Sequence, residues 1–168
     1  MYHLSLKELN GVDANGSGTA CSRFQPARLK RRDIHFVRGR GKKVVVYFYP
    51  KDMTPACTQE SCDFRDFHQE FGKLGVEVVG ISADPLKRHD KFISKYKLPF
   101  LLLSDEDHAI SEQFGVWQLK KLYGKEYMGI VRSTFLVDEE GRLVKEWRNV
   151  KVKNHAQLVL DAVKALQD

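Results

Sequence analysis

Cysteine is scarce in this chain of 168 residues: Cys21, Cys57 and Cys62 are the full complement. Three are too few, and odd in number, for a secreted scaffold held together by disulfides. The expectation is a reducing compartment, the cytoplasm, with cysteine kept for reactivity. Long apolar runs are missing as well. The longest, residues 44–49, is far below the ~18 residues that cross a bilayer as a helix, so no membrane is expected as a partner. An apolar signal-peptide core near Met1 is lacking, which argues against secretion by that route. The histidines, His3, His35, His68, His89, His108 and His155, are scattered without metal-ligand spacing and read as solvent-facing. No metal and no cofactor is therefore expected. What is present, 42% hydrophobic and 30% charged residues, is globular composition at a length that suits one domain rather than two.

Charge is unevenly placed. The formal net charge is +6, with +7 in residues 1–43 and −1 in residues 44–168. Residues 11–21 are rich in Gly, Ala, Ser and Asn, residues 28–40 are mostly basic, and neither stretch holds a period of two or 3.6. The reading is a basic, irregular amino-terminal segment over 1–41, with a short strand around residues 3–6, followed by one domain over 42–168. Glu8, Asp13 and Asp33, and the lack of an amphipathic stripe, distinguish this segment from a transit peptide. A phosphate-binding arm is the non-enzymatic reading of its charge. Aromatics other than Phe24 and Phe36 are not interleaved with the basic residues, so nucleic acid is not the expected partner.

From residue 42 the pattern becomes regular. Residues 42–49 (KKVVVYFY), ended by Pro50, predict a strand buried on both faces. Thr54-Pro55 reads as a helix start, a capping hydroxyl followed by proline at the first helical position. That helix is predicted to run to about Leu74, with Phe64, Phe67, Phe71 and Leu74 on one face, and Gly75 stops it. Residues 76–82 predict a second buried strand, and Pro85 opens a helix to about Tyr96 with Phe92, Ile93 and Tyr96 turned inward. A strand over 100–103, a short helix over 105–114 and a hairpin of 133–137 with 143–147 follow. The last helix, 154–166, is predicted to bury Leu158, Val159, Ala162, Val163 and Leu166. Residues 118–127 read as a loop, with Trp117 and Tyr123 near it packing rather than lining a site. The order βαβαβαββα predicts an α/β fold, a mixed central sheet with helices on both faces. A thioredoxin-like sheet is the member of that class that ends in a hairpin and a helix.

The chemistry concentrates in residues 50–62 (PKDMTPACTQESC), where a buried strand hands over to a helix at the carboxyl edge of the sheet. Cys57 falls in the first helical turn, where unpaired backbone N–H groups and the helix dipole favour a thiolate. Cys62 lies five residues on. In a continuous helix that spacing separates the two Cα atoms by roughly 8–9 Å, beyond the ~7 Å reach of a disulfide. The pair can bond only if the first turns unwind, which suits catalysis better than a structural staple. Zinc would need a second ligand pair, which the chain lacks.

Residues 44–66 (VVVYFYPKDMTPACTQESCDFRD) resemble the peroxiredoxin signature Pro-x-x-x-Thr-x-x-Cys, and the second cysteine five residues later resembles the peroxiredoxin Q, or bacterioferritin comigratory protein, subgroup. Residues 80–84 (GISAD), 103–105 (LSD) and 132–138 (RSTFLVD) are similar to that subgroup in order and spacing, so the likeness spans about 42–168. It implies a thiol-dependent peroxidase acting on hydrogen peroxide and organic hydroperoxides. Cys57 would be the peroxidatic cysteine and Cys62 the resolving one, joined to it in an intramolecular disulfide. Thr54 would hydrogen-bond the peroxide, Pro50 would shield the pocket, and Arg132 would hold the thiolate and stabilise charge as the O–O bond breaks. Glu60 would help orient Arg132, unless it is an ordinary exposed helix carboxylate. Thioredoxin or a similar dithiol is the implied reductant, and a monomer the implied state. The subgroup's opening Pro-Asp-Phe element and alternating hairpin are absent from residues 1–41, and Cys21 reads as a free thiol. The rival enzyme, a thioredoxin-fold disulfide oxidoreductase, would place two residues between its cysteines where this chain has four.

Overall fold

The computed structural model describes residues 3–5 and 41–167. Along the chain the elements are β1 (His3–Ser5), β2 (Lys43–Phe48), α1 (Pro55–Asp66), α2 (His68–Lys73), β3 (Val76–Ser82), α3 (Leu86–Tyr96), β4 (Leu101–Ser104), α4 (Ala109–Gln113), β5 (Trp117–Leu122), β6 (Lys125–Ile130), β7 (Ser133–Val137), β8 (Leu143–Trp147) and α5 (His155–Ala165). Cys21 and the basic run 28–40 lie outside the described residues. The strand expected near residues 3–6 is β1, so the amino-terminal segment does contribute to the sheet.

One mixed sheet of six strands, in the order β1-β4-β3-β2-β7-β8, forms the centre. β2, β3, β4 and β1 are parallel neighbours, and β7 and β8 run antiparallel to complete the edge. The alternation of side chains along β2 divides the core in two. Val45, Tyr47 and Tyr49 face α1, α2, α3 and α5, while Val44, Val46 and Phe48 face α4 and Val116. The α/β, thioredoxin-like expectation therefore stands, with most of the helical mass on one face.

The β2–β7 register matters for function. Phe48 pairs with Ser133, so the end of β2 and the start of β7 lie side by side. Arg132, one residue before β7, is thereby set beside the segment that leads from β2 into α1. Its carbonyl accepts from the Val150 N–H at 2.9 Å, which ties its backbone to the chain beyond β8.

Four sequence expectations need correction. The helix predicted over 55–74 breaks at Phe67, where α1 ends and α2 begins. The break lets Phe64 and Phe71 both reach full burial, while Phe67 and Leu74 are only half-buried. Residues 117–130 are a second, two-stranded sheet rather than a loop. Its polar strands carry little hydrophobic signal because the hairpin stands largely in solvent, with Leu119, Leu122 and Tyr123 exposed. In α5, Leu158 and Leu166 are exposed, and the buried face is His155, Ala156, Val159, Leu160 and Val163. Finally, His89 and His155 are buried, not solvent-facing.

Gly80 in β3 positions the face that carries α1. A Cβ there would stand 2.6 Å from Leu102 Cδ2 and 2.8 Å from the Tyr47 hydroxyl. The Tyr47 ring stacks on Phe64 of α1 at 4.8 Å, and its hydroxyl is 2.9 Å from Ser61 Oγ. Gly80→Ala is expected to overpack this junction and cost about 1–3 kcal/mol. Urea unfolding measures it; an unchanged midpoint would show that the junction yields freely.

Candidate active site

Thr54 is the N-cap residue of α1, Pro55 occupies the first turn, and the Thr54 carbonyl accepts from the Thr58 N–H at 2.9 Å. The Thr54 hydroxyl does not cap the helix as the sequence suggested. It donates instead to the Lys51 carbonyl at 2.8 Å, which folds the approach to the helix into a tight turn. The hydroxyl's lone pairs remain available to an incoming donor. Pro50, half-buried, follows β2 and begins this turn.

Cys57 lies in the first turn of α1 and is only 1% exposed. Arg132 reaches it from the β6–β7 junction, with Nη2 3.3 Å from Sγ. The same guanidinium donates through Nη1 to Glu60 Oε1 at 2.8 Å. Glu60 is thus no exposed helix carboxylate: it is 1% exposed, and Oε2 is buried without a hydrogen-bond partner among the described residues. Burial pushes its carboxyl up to about 7, against the pull of Arg132, with Asp63 adding a smaller upward push. Burial works against the charge of Arg132, but Glu60 and Cys57 outweigh it and hold the guanidinium above its ordinary range. The arginine is a permanent cation.

Cys62, five residues along the same unbroken helix, is half-buried and free, as is Cys57. Burial raises its thiol, with Arg65 opposing and Asp66 and Asp63 assisting, so it is a protonated thiol at neutral pH. While that helix is continuous it holds the two Cα atoms beyond the ~7 Å reach of a disulfide. Among the described residues, no group of three His, Cys, Asp or Glu side chains could hold a metal ion, and no helix is long and apolar enough to cross a membrane.

The structure therefore joins Cys57, Arg132 and Glu60 directly, and places Thr54 and Pro50 on the turn leading into the same helix. It also brings in two residues that the sequence reading did not assign. Lys120, from the unpredicted hairpin, donates from Nζ to the Ile130 carbonyl at 3.0 Å. Burial lowers its ammonium, as does the charge of Arg132, while Cys57 pulls the other way, which places it within electrostatic reach of both. His155, on α5, has Nε2 2.7 Å from Thr134 Oγ1. Burial and the Arg132 charge push its imidazole down to about 4, so it stays neutral. A signal for it was present in the sequence: His155, Val159 and Val163 are spaced four apart, on the face of α5 that packs inward. For Lys120 the sequence held no such signal.

Known proteins of one family are similar to this chain over most of its length. Residues 18–146 match the AhpC/TSA family. Peroxiredoxin Bcp of Bacillus subtilis is 58% identical over 129 residues, covering 77% of this chain and 80% of that protein. Peroxiredoxin Bcp of Escherichia coli K12 is 47% identical over 148 residues, covering 88% and 95%. A solved structure of the Xanthomonas campestris bacterioferritin comigratory protein, studied for alkyl peroxide reduction, superposes with a TM-score of 0.73 at 47% identity over 76% of this chain and 82% of that one. At these identities and coverages the chain belongs to the AhpC/TSA family, as a peroxiredoxin of the Bcp type.

Proposed function

We propose that Cys57 is the peroxidatic cysteine of this peroxidase and that one contact carries the assignment, the 3.3 Å approach of Arg132 Nη2 to Cys57 Sγ in the first turn of α1. Sulfur must be anionic to attack an O–O bond, and a fixed cation beside it stabilises both that anion and the charge passing to the leaving oxygen. The thiolate attacks one peroxide oxygen, the O–O bond breaks, and the departing alkoxide or hydroxide takes a proton to leave as alcohol or water. Cys57 is left as a sulfenic acid. Thr54, through the free lone pairs of its hydroxyl, would accept the peroxide's O–H, and Pro50 would keep bulk water from the sulfenate.

Cys62 then resolves the sulfenic acid: its thiol displaces water and a Cys57–Cys62 disulfide forms, after α1 unwinds over its first turns. A dithiol such as thioredoxin would return both cysteines to thiols by exchange through a mixed disulfide. The hydroperoxide substrate and a thiol reductant follow from the family. Thioredoxin as that reductant, a monomeric state and a cytoplasmic setting are supported by the resemblance to the peroxiredoxin Q subgroup. In the same reading, residues 42–168 form the peroxidase domain and residues 1–41 are an extension that adds β1 to its edge. The disulfide oxidoreductase reading fares worse, because a sulfur that is 1% exposed can meet a small peroxide but not a protein disulfide.

Mass spectrometry of the reduced protein after one equivalent of hydrogen peroxide tests the whole sequence. The expected product is a Cys57–Cys62 disulfide with Cys21 still alkylatable. A disulfide that joins Cys21 to either cysteine instead would remove Cys62 from the resolving role.

A further inference from the structure

Two acidic groups share one cation in this site. Cys57 and Glu60 are three residues apart on α1, each 1% exposed, and each is hydrogen-bonded to a different nitrogen of the Arg132 guanidinium. A pocket closed to water tolerates one anion opposite one cation and penalises a second, because an uncompensated buried charge lacks solvation. With Cys57 ionised and Glu60 protonated, the trio is neutral. Once Cys57 becomes an uncharged sulfenic acid, the trio is neutral only if Glu60 is ionised. On this basis, and resting on the peroxidatic role of Cys57, we propose that Glu60 holds a proton while Cys57 is a thiolate and releases it as the sulfur is oxidised, so that the proton taken by the departing oxygen comes from the site rather than from solvent.

The step balances. Thiolate, hydroperoxide and protonated carboxyl give sulfenic acid, alcohol and carboxylate, and no external acid is consumed. Glu60 is a positioning residue bonded to Arg132, and it gives up its proton within the closed site as the charge on Cys57 is lost. The buried, unpartnered Oε2 is the atom free to carry the proton. A carboxyl held near 7 can exchange it under neutral conditions, where an ordinary carboxylate could not. The surroundings favour the exchange. Asp63, on the same helix, adds negative charge and opposes ionisation of Glu60. Tyr47 of β2 faces both Glu60 and Cys57 and is kept un-ionised by burial. His155 of α5 is kept neutral by burial and by the Arg132 charge, and Lys120 of β5 feels the charges of Arg132 and Cys57. Arg132 is left as the cation bonded to both acids.

Proton stoichiometry tests the proposal. The Cys62→Ser protein, in which oxidation stops at the sulfenic acid, is mixed with hydrogen peroxide in weak buffer with a pH indicator, somewhat below pH 7. Loss of the ultraviolet thiolate absorbance is followed in parallel. The expected result is little proton uptake from solution per thiolate consumed. In the same background Glu60→Gln should take up one proton per thiolate. Uptake of one proton per thiolate in the protein that retains Glu60 overturns the proposal. Should Glu60→Gln fail to fold, infrared difference spectra of the Cys62→Ser protein decide: oxidation should remove a protonated-carboxyl band, and its persistence overturns the proposal. Peroxide consumption with no thiolate lost at Cys57 would instead overturn the peroxidatic assignment on which the proposal rests.

Discussion

Cys57→Ser is expected to lower peroxide turnover by a factor on the order of 10⁴ or more, with the fold intact. The serine hydroxyl fits the volume of the thiol and can keep the Arg132 contact, so packing around α1 changes little. What is lost is ionisation: a hydroxyl stays protonated at neutral pH, and oxygen attacks an O–O bond poorly. Cys62 does not substitute. It is half-buried, burial raises its thiol, and its neighbours Asp63 and Asp66 disfavour the anion, with only Arg65 opposing them. Consumption of hydrogen peroxide by the reduced variant, with circular dichroism to confirm folding, measures the effect. Turnover near that of the parent would move the chemistry to another sulfur.

The second large effect is on stability. His89 and Asp52, both 0% exposed, meet with Nδ1 2.6 Å from Oδ2. The other ring nitrogen, Nε2, is 3.1 Å from the Leu103 carbonyl. The ring is thus held from both sides, by a side chain of the turn after β2 and by the backbone of β4. Tyr49 donates to the remaining oxygen of Asp52 at 2.6 Å, and the Asp52 N–H donates to Asp84 Oδ2 at 2.8 Å. Arg88 donates from Nη2 to the Asp52 carbonyl at 2.9 Å and pairs with Asp84 through Nε at 3.3 Å. This network pins the turn between Pro50 and Thr54 to β3, α3 and β4. His89→Ala strips buried Asp52 of its 2.6 Å hydrogen-bond partner and leaves a cavity, for an expected loss of about 3–5 kcal/mol. Chemical denaturation measures it. A loss below about 1 kcal/mol, the scale of one ordinary hydrogen bond, would show that this buried network is not essential to the fold.

Glu60 and His155 bear on acid stability with opposite signs. Glu60 binds its proton more tightly in the folded protein, so its contribution is present in acid and fades as pH rises toward 7. His155 prefers to be neutral when folded, so its contribution is present above the ordinary histidine range and is lost as pH falls toward 4.

Much of this protein is legible in its residues alone. The run 44–49, buried throughout, could only be a central strand, and Thr54-Pro55 after it could only open a helix. Those two local facts put Cys57 in a first turn, and five-residue spacing along a helix puts Cys62 out of reach of it. Periodicity also found Phe64, Phe71, Phe92 and Val159 as core. It overreached for Leu158 and Leu166, because a helix's apolar stripe does not say how wide a surface the sheet will cover.

The pairing across the sheet was not legible. Whether Arg132 reaches Cys57 depends on Phe48 standing opposite Ser133, a contact between residues 85 positions apart that no local pattern encodes. The same holds for Glu60, which as a helix carboxylate could equally have faced solvent, and for His89 and His155, which as histidines are at home in either setting. Local sequence decides which backbone each segment adopts, since propensity, capping and alternation act over a few residues. Charge and exposure at a polar side chain are decided by what the rest of the chain brings against it, and that is settled only when the sheet closes.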